Sequence, residues 1–102
     1  MCKTGRIARD RLSESELRVA KTYANMRALR GALARLTGIL KDDPNFTHRD
    51  EVYYRLGEIY FPLQGADNKA QARMYYQRLV DEFVESEFLE RAAMRLKELN
   101  AQ

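Results

Sequence analysis

The chain has 102 residues, 45% apolar and 32% charged, with one cysteine and a formal net charge of +3. A chain this short makes one domain with an adequate core. Its lone cysteine, Cys2, excludes an internal disulfide and a cysteine-based zinc site, and no apolar run approaches the roughly 18 residues of a membrane span.

Charge is unevenly spread. Residues 1–41 hold ten Lys/Arg against three Asp/Glu, and residues 42–102 hold eight against twelve. The basic residues follow helical periods, with no interleaved aromatic platform and no zinc or helix-turn-helix signature. They read as solvated helix faces, so no nucleic-acid partner is expected. Met1 to Arg11 lacks the apolar stretch of a secretory signal, which leaves a cytosolic protein or one whose export signal lies upstream.

Residues 1–4 read as a frayed start. From Gly5 onward Ile7, Leu12, Val19, Tyr23 and Met26 recur at helical steps, giving a helix from about Arg6 to Met26. Ser13 and Glu16 have the form of a capping box, but Arg9 to Leu12 contains no breaker and the helix runs through it. Leu29, Ala32, Leu33, Leu36, Ile39 and Leu40 form the clearest amphipathic stripe. Gly31 and Gly38 share one side of that helix, and each costs about 1 kcal/mol against alanine, so both are expected against a close neighbour. The helix stops at Asp42-Asp43-Pro44, because proline disfavours helix at the residue before it.

Thr47 is the expected N-cap of a third helix, which reaches about Phe61 and ends at Pro62. Leu63 to Asp67 is a turn. Asn68 with Gln71 resembles a capping box for a fourth helix reaching Phe83, and Ser86 is the expected N-cap of a last helix, Glu87 to Asn100.

The third and fourth helices carry Tyr53-x-x-Leu56-Gly57-x-x-Tyr60, then Ala72-x-x-x-Tyr76, closing at Val84. This spacing resembles the tetratricopeptide repeat, W-x2-L-G-x2-Y…A-x3-F…P, with tyrosine for both the Trp and the Phe and Val84 for the proline. On a helical wheel Leu56, Gly57 and Tyr60 fall within about 60° of Tyr53. Gly57 bares the backbone there for a second helix. Shifting by 37 residues places Val19 on Leu56, Ala20 on Gly57 and Tyr23 on Tyr60.

The expected fold is all-α: about five helices in tetratricopeptide-like hairpins, stacked as a short right-handed solenoid. It forms one domain over 5–102, with repeats at 13–46 and 50–84 and a capping helix at 87–100. Two repeats and a cap fall below the usual three, so the chain is expected to lean on a neighbour or on a second copy of itself.

Arg9-Asp10-Arg11-Leu12-Ser13-Glu14-x-Glu16-Leu17-x-Val19-Ala20-x-x-Tyr23 resembles the fourth repeat of the BamD-like family, the outer-membrane β-barrel assembly lipoproteins. Ala32-x-x-Arg35-Leu36-x-Gly38-Ile39-Leu40 followed by Asp42-Asp43-Pro44 continues the likeness, which covers roughly residues 7–84. It implies the C-terminal repeats of such a factor, in the periplasm on the inner face of the outer membrane, with a barrel-assembly subunit as protein partner. Membrane association would then come only from an N-terminal lipid anchor. Cys2, with no lipobox before it, is not that anchor.

The residues alone leave a second reading open, a generic cytosolic tetratricopeptide adaptor or regulatory module. A lipobox signal in the full-length frame separates the two.

Catalytic material is sparse, and the chain is not expected to be an enzyme. His48, the only histidine, sits in a loop. Asp42-Asp43 and Asp81-Glu82 lie at helix C-termini, where the dipole disfavours them, and read as solvated ends. No metal, cofactor or small-molecule substrate is expected.

The surface that remains is the groove lined by the first helix of each repeat: Leu17, Lys21 and Ala24, then Tyr54, Glu58 and Phe61. Aromatic anchors would give affinity, and Lys21 and Glu58 register. If the last helix covers Tyr54 and Phe61, they are core instead. Arg35 lies at the edge of the Ala32–Leu36–Ile39 stripe. It either rests its stem on apolar surface and pairs within the chain or, as the resemblance implies, bridges to a carboxylate on a periplasmic domain of the barrel-forming partner.

Overall fold

A computed structural model describes residues 2–101 and contains five helices: α1 (Cys2–Asn25), α2 (Leu29–Asp42), α3 (Arg49–Tyr60), α4 (Ala66–Glu82) and α5 (Leu89–Asn100). Among the described residues there is no strand, and no helix is long and apolar enough to cross a membrane. The protein is all-α, built of packed helical hairpins. It forms two compact units, Met1–Val52 and Tyr53–Gln102, with the boundary inside α3.

In the first unit α1 packs along α2. Leu17, Ala20, Ala32, Leu36, Ile39, Phe46 and Val52 make the interior. The α1–α2 connection turns at Arg27, which takes a positive φ of 64°. An added Cβ on Gly31 would lie 3.1 Å from the Tyr23 ring, so this glycine does meet a close neighbour. Gly38 does not, since nothing lies within 4 Å of the same point there.

In the second unit Tyr53, Tyr54, Leu56, Ile59, Tyr75, Tyr76, Leu79, Phe88, Leu96 and Leu99 are buried. Gly57 admits the fully buried Tyr76, and a Cβ there would sit 2.6 Å from the ring. This close approach of α4 to α3 is what the tetratricopeptide glycine predicts.

Several boundaries move. α1 already runs from Cys2, because Lys3 to Gly5 contains only a mild helix breaker. The places given to Met1, and to the Cys2 and Ile7 side chains, lie outside the described residues. Leu12 and Met26 are 59% and 70% exposed and do not belong to the buried stripe of α1. Ser13 is interior to the helix. It donates to Asp43 (2.8 Å), and that buried bond makes Asp43 a structural group, not a solvated end. Thr47 does not cap α3: its hydroxyl donates to Asp10 (2.7 Å), and α3 begins two residues later. α4 starts at Ala66 after Gly65, so Asn68 lies inside it and donates to the Gln64 carbonyl. Ser86 accepts the Phe88 N–H in the turn before α5.

The two corners that follow α2 and α4 share one backbone path. Asp43 (φ −137°, ψ 72°) and Phe83 (φ −129°, ψ 69°) close their helices alike. Phe46 N–H then donates to the Asp43 carbonyl at 3.0 Å, and Ser86 N–H to the Phe83 carbonyl at 3.1 Å. A step of forty residues therefore relates the two corners and the helices after them. It places Val52, Leu56 and Ile59 of α3 on Ala92, Leu96 and Leu99 of α5, all six buried.

Candidate interaction surface

Within the first unit, Glu14, Leu17, Arg18 and Lys21 of α1 face His48 and Glu51 across a shallow hollow. Leu17 is its buried floor. Lys21 pairs with Glu51. His48 stands 3.7 Å from Glu14 and edge-on to Phe46. Lys21 thus remains at the surface, already engaged by a carboxylate of its own unit, while Leu17 presents little apolar area to a ligand.

A larger hollow, about 320 Å³, lies between α1 and α2 and is lined by Arg9, Leu12, Ser13, Glu16, Ala34, Arg35, Gly38, Ile39, Asp42 and Asp43. Arg35 sits at this hollow. Its Nη1 donates to Glu16 (2.8 Å), and its guanidinium carbon lies 5.8 Å from the centre of the Tyr23 ring. The bond to Glu16, then that to Tyr23, raises the guanidinium pKa above its ordinary value. The side chain is still 43% exposed. The intrachain pair anticipated for Arg35 is present, and the side chain remains part-exposed.

In the second unit, α5 engages all three residues assigned to the groove. Tyr54 stacks on Phe88 (4.8 Å between centroids, 22° between planes) and is only 9% exposed. Glu58 accepts the Tyr76 hydroxyl and takes Arg95 with both oxygens, Nε at 3.0 Å and Nη2 at 3.4 Å. Phe61 is approached by two cations, with the Arg95 guanidinium 4.3 Å and the Lys69 ammonium 5.2 Å from its centroid. Burial, reinforced by the bond to Glu58, pushes the Tyr76 phenol well above the ordinary tyrosine value.

Tyr54 is therefore core, and Glu58 and Phe61 form the seat of α5. They are not an open strip. The physical reason is that an arginine clamp satisfies the carboxylate and the ring face together.

Sequence reasoning missed Phe88 and Arg95. The available signal was the forty-residue step, which sets Arg95 on Arg55 and Glu98 on Glu58. Among the described residues no group of His, Cys, Asp and Glu side chains could hold a metal ion.

This arrangement of hairpins, a glycine under a tyrosine ring and a first helix read by the next, defines a helical-repeat scaffold. Residues 51–86 match the family model of the tetratricopeptide repeat. The match supports reading the chain as a tetratricopeptide-repeat protein, and such repeats are protein–protein interaction modules. No curated protein and no solved structure matches the chain.

Proposed function

We propose that this chain is a non-catalytic protein–protein interaction module that serves as the C-terminal repeats of a BamD-like factor in outer-membrane β-barrel assembly, on the periplasmic side of that membrane. The tetratricopeptide match over 51–86 carries the general part, binding of a protein partner. The barrel-assembly part is supported by the resemblance of Arg9 to Tyr23 and of Ala32 to Pro44.

Arg35 is the residue to which the reading commits. It stands at the open α1–α2 hollow with Nη1 on Glu16, its guanidinium beside the Tyr23 ring, and the side chain 43% exposed. A planar guanidinium suits two-point pairing with a partner carboxylate in a way that lysine does not. The Glu16 bond is exposed and costs little to exchange.

A pull-down with the periplasmic domains of the barrel-forming subunit tests this. Arg35→Glu abolishes capture while the thermal melt stays within a few degrees of wild type, and Glu16→Ala leaves capture intact. Wild-type capture by Arg35→Glu removes Arg35 from the interface, as does a loss of capture that tracks unfolding.

A further inference from the structure

We infer that the strip of α5 carrying Met94 and Glu98 docks a helix of a partner protein, one that presents an aromatic side chain and, seven residues further on, an arginine. This goes beyond the barrel-assembly reading and does not depend on it. The chain shows within its second unit how one first helix is read by the next. α3 offers Tyr54 and, one turn on, Glu58. The answer comes from Phe88, at the cap of α5, stacked on Tyr54 at 4.8 Å, and from Arg95 of α5 forked on Glu58.

The forty-residue step that superposes the two corners carries Tyr54 onto Met94 and Glu58 onto Glu98. α5 therefore repeats the same offer, an apolar side chain and a carboxylate one turn apart. Here the offer stands open. Met94 is 63% exposed, against 9% for Tyr54. Glu98 is 49% exposed and, among the described residues, is held by one long contact to Arg95 of its own helix, 3.4 Å at i,i+3.

The neighbouring flank of α5 differs from its counterpart on α3. Where α3 has Tyr53, Gly57 and Tyr60 to receive a second helix, α5 has Ala93, Lys97 and Asn100, all exposed. The aromatic and glycine contacts that join α3 to α4 have no counterpart there. Only the Met94–Glu98 strip retains the receiving chemistry. Its carboxylate selects a cation, as Glu58 selects Arg95, and Met94 accommodates a ring through its polarisable sulfur. Arg91 beside Met94 adds a positive charge at the start of the strip, which favours a carboxylate or a polar turn in the partner at that end.

The probe is a fluorescein-labelled peptide copying residues 86–101, which carries Phe88 and Arg95 at the required spacing, titrated with the full chain and read by fluorescence anisotropy. Saturable binding is expected. Glu98→Arg in the chain weakens it at least tenfold, and a peptide with Arg95→Glu restores binding to that variant. Met94→Asp, at a side chain exposed to solvent, weakens it without moving the thermal melt and serves if Glu98→Arg disturbs α5.

Three results overturn the assignment: no saturable binding, binding indifferent to both variants, or binding that is lost with Glu58→Arg and kept with Glu98→Arg, because the peptide then replaces α5 on α3. Sedimentation of the chain alone is expected to show a monomer. A self-association abolished by Glu98→Arg also overturns the assignment, in favour of a second copy as the occupant.

Discussion

In the first unit the small residue on the motif face of α1 is Ala20, and the matching place on α2 holds Leu36. In the second unit the corresponding residues are Gly57 on α3 and Tyr76 on α4. Ala20, Leu36 and Tyr76 are all buried, and Gly57 lies under the Tyr76 ring. One side of the hairpin loses a methyl group where the other gains a ring and a hydroxyl. The rest of each interior follows suit. The first is lined mainly by leucine, alanine and isoleucine, while the second contains Tyr53, Tyr54, Tyr75, Tyr76 and Phe88. The polar consequence is equally marked. A tyrosine in the core brings a hydroxyl that must be satisfied, and Glu58 supplies the acceptor. Glu58 in turn needs a cation, which Arg95 supplies. No such chain of obligations follows from Leu36. The difference teaches that a choice made at one position of the Gly57–Tyr76 pair dictates charges two helices away.

The strongest test of that comparison breaks the second pair. Gly57→Leu forces a side chain into the Tyr76 ring and costs about 3 kcal/mol, the upper end of typical overpacking. Gly57→Ala costs about 1–2 kcal/mol by the same clash, less what alanine regains in helix propensity. Urea denaturation reads both. Combining Gly57→Ala with Tyr76→Leu rebuilds the pair found in the first unit, so the double variant is more stable than the sum of its singles predicts. Strict additivity would show that the two positions are not a unit.

Next comes the clamp. Arg95→Ala removes a two-point charged hydrogen bond and a cation–ring contact and costs about 1.5–3 kcal/mol. Lys21→Ala, which breaks a one-point pair with Glu51 in the first unit that lacks the forked geometry and ring contact of Arg95, costs about 0–1 kcal/mol. Denaturation midpoints of the two variants should rank in that order, and equal losses would refute the contrast between the units.

The corners supply two smaller effects. Ser13→Ala leaves the buried Asp43 carboxylate short of a donor and costs about 1–2 kcal/mol. At the other corner, Val84 occupies the place of Pro44, and among the described residues its N–H makes no hydrogen bond. Phe83 already has the backbone that Asp43 shows before Pro44. Val84→Pro is therefore expected to raise stability by about 0.4–1 kcal/mol, by restricting the unfolded chain. A fall in the thermal midpoint would mean that the shared backbone path does not tolerate the exchange.

Much of this architecture was legible in the residues. The stripe from Leu29 to Leu40 located α2 to within a residue, because apolar periodicity and Asp43-Pro44 agree. The pattern from Tyr53 to Tyr76 identified the hairpin of α3 and α4 and the role of Gly57. Capping chemistry was less dependable. Ser13, Thr47 and Asn68 have the right composition for N-caps, but each spends its side chain elsewhere, on Asp43, Asp10 and the Gln64 carbonyl.

The interaction surface was the least legible part. Tyr54 and Phe61 are more apolar than one hairpin needs, and nothing local reveals whether a ligand or a later helix covers them. The answer lies in Phe88 and Arg95. The corner that announces them is disguised, because the buried aromatic is Phe46 in the first corner and falls two places later, at Phe88, in the second.

The ring stacks of the second unit also have an optical consequence. The chain has no tryptophan and six tyrosines, five of them at 53, 54, 60, 75 and 76. Tyr75 is stacked against both Tyr53 (6.4 Å) and Tyr60 (6.2 Å), and Tyr54 lies 6.4 Å from Tyr76. Fixed, asymmetric tyrosine pairs of this kind dominate circular dichroism near 280 nm, so that band reports almost entirely on the second unit. The far-ultraviolet helix signal reports on both. Melting followed at the two wavelengths separates the units without a label, and any gap between the curves measures how far one loosens before the other.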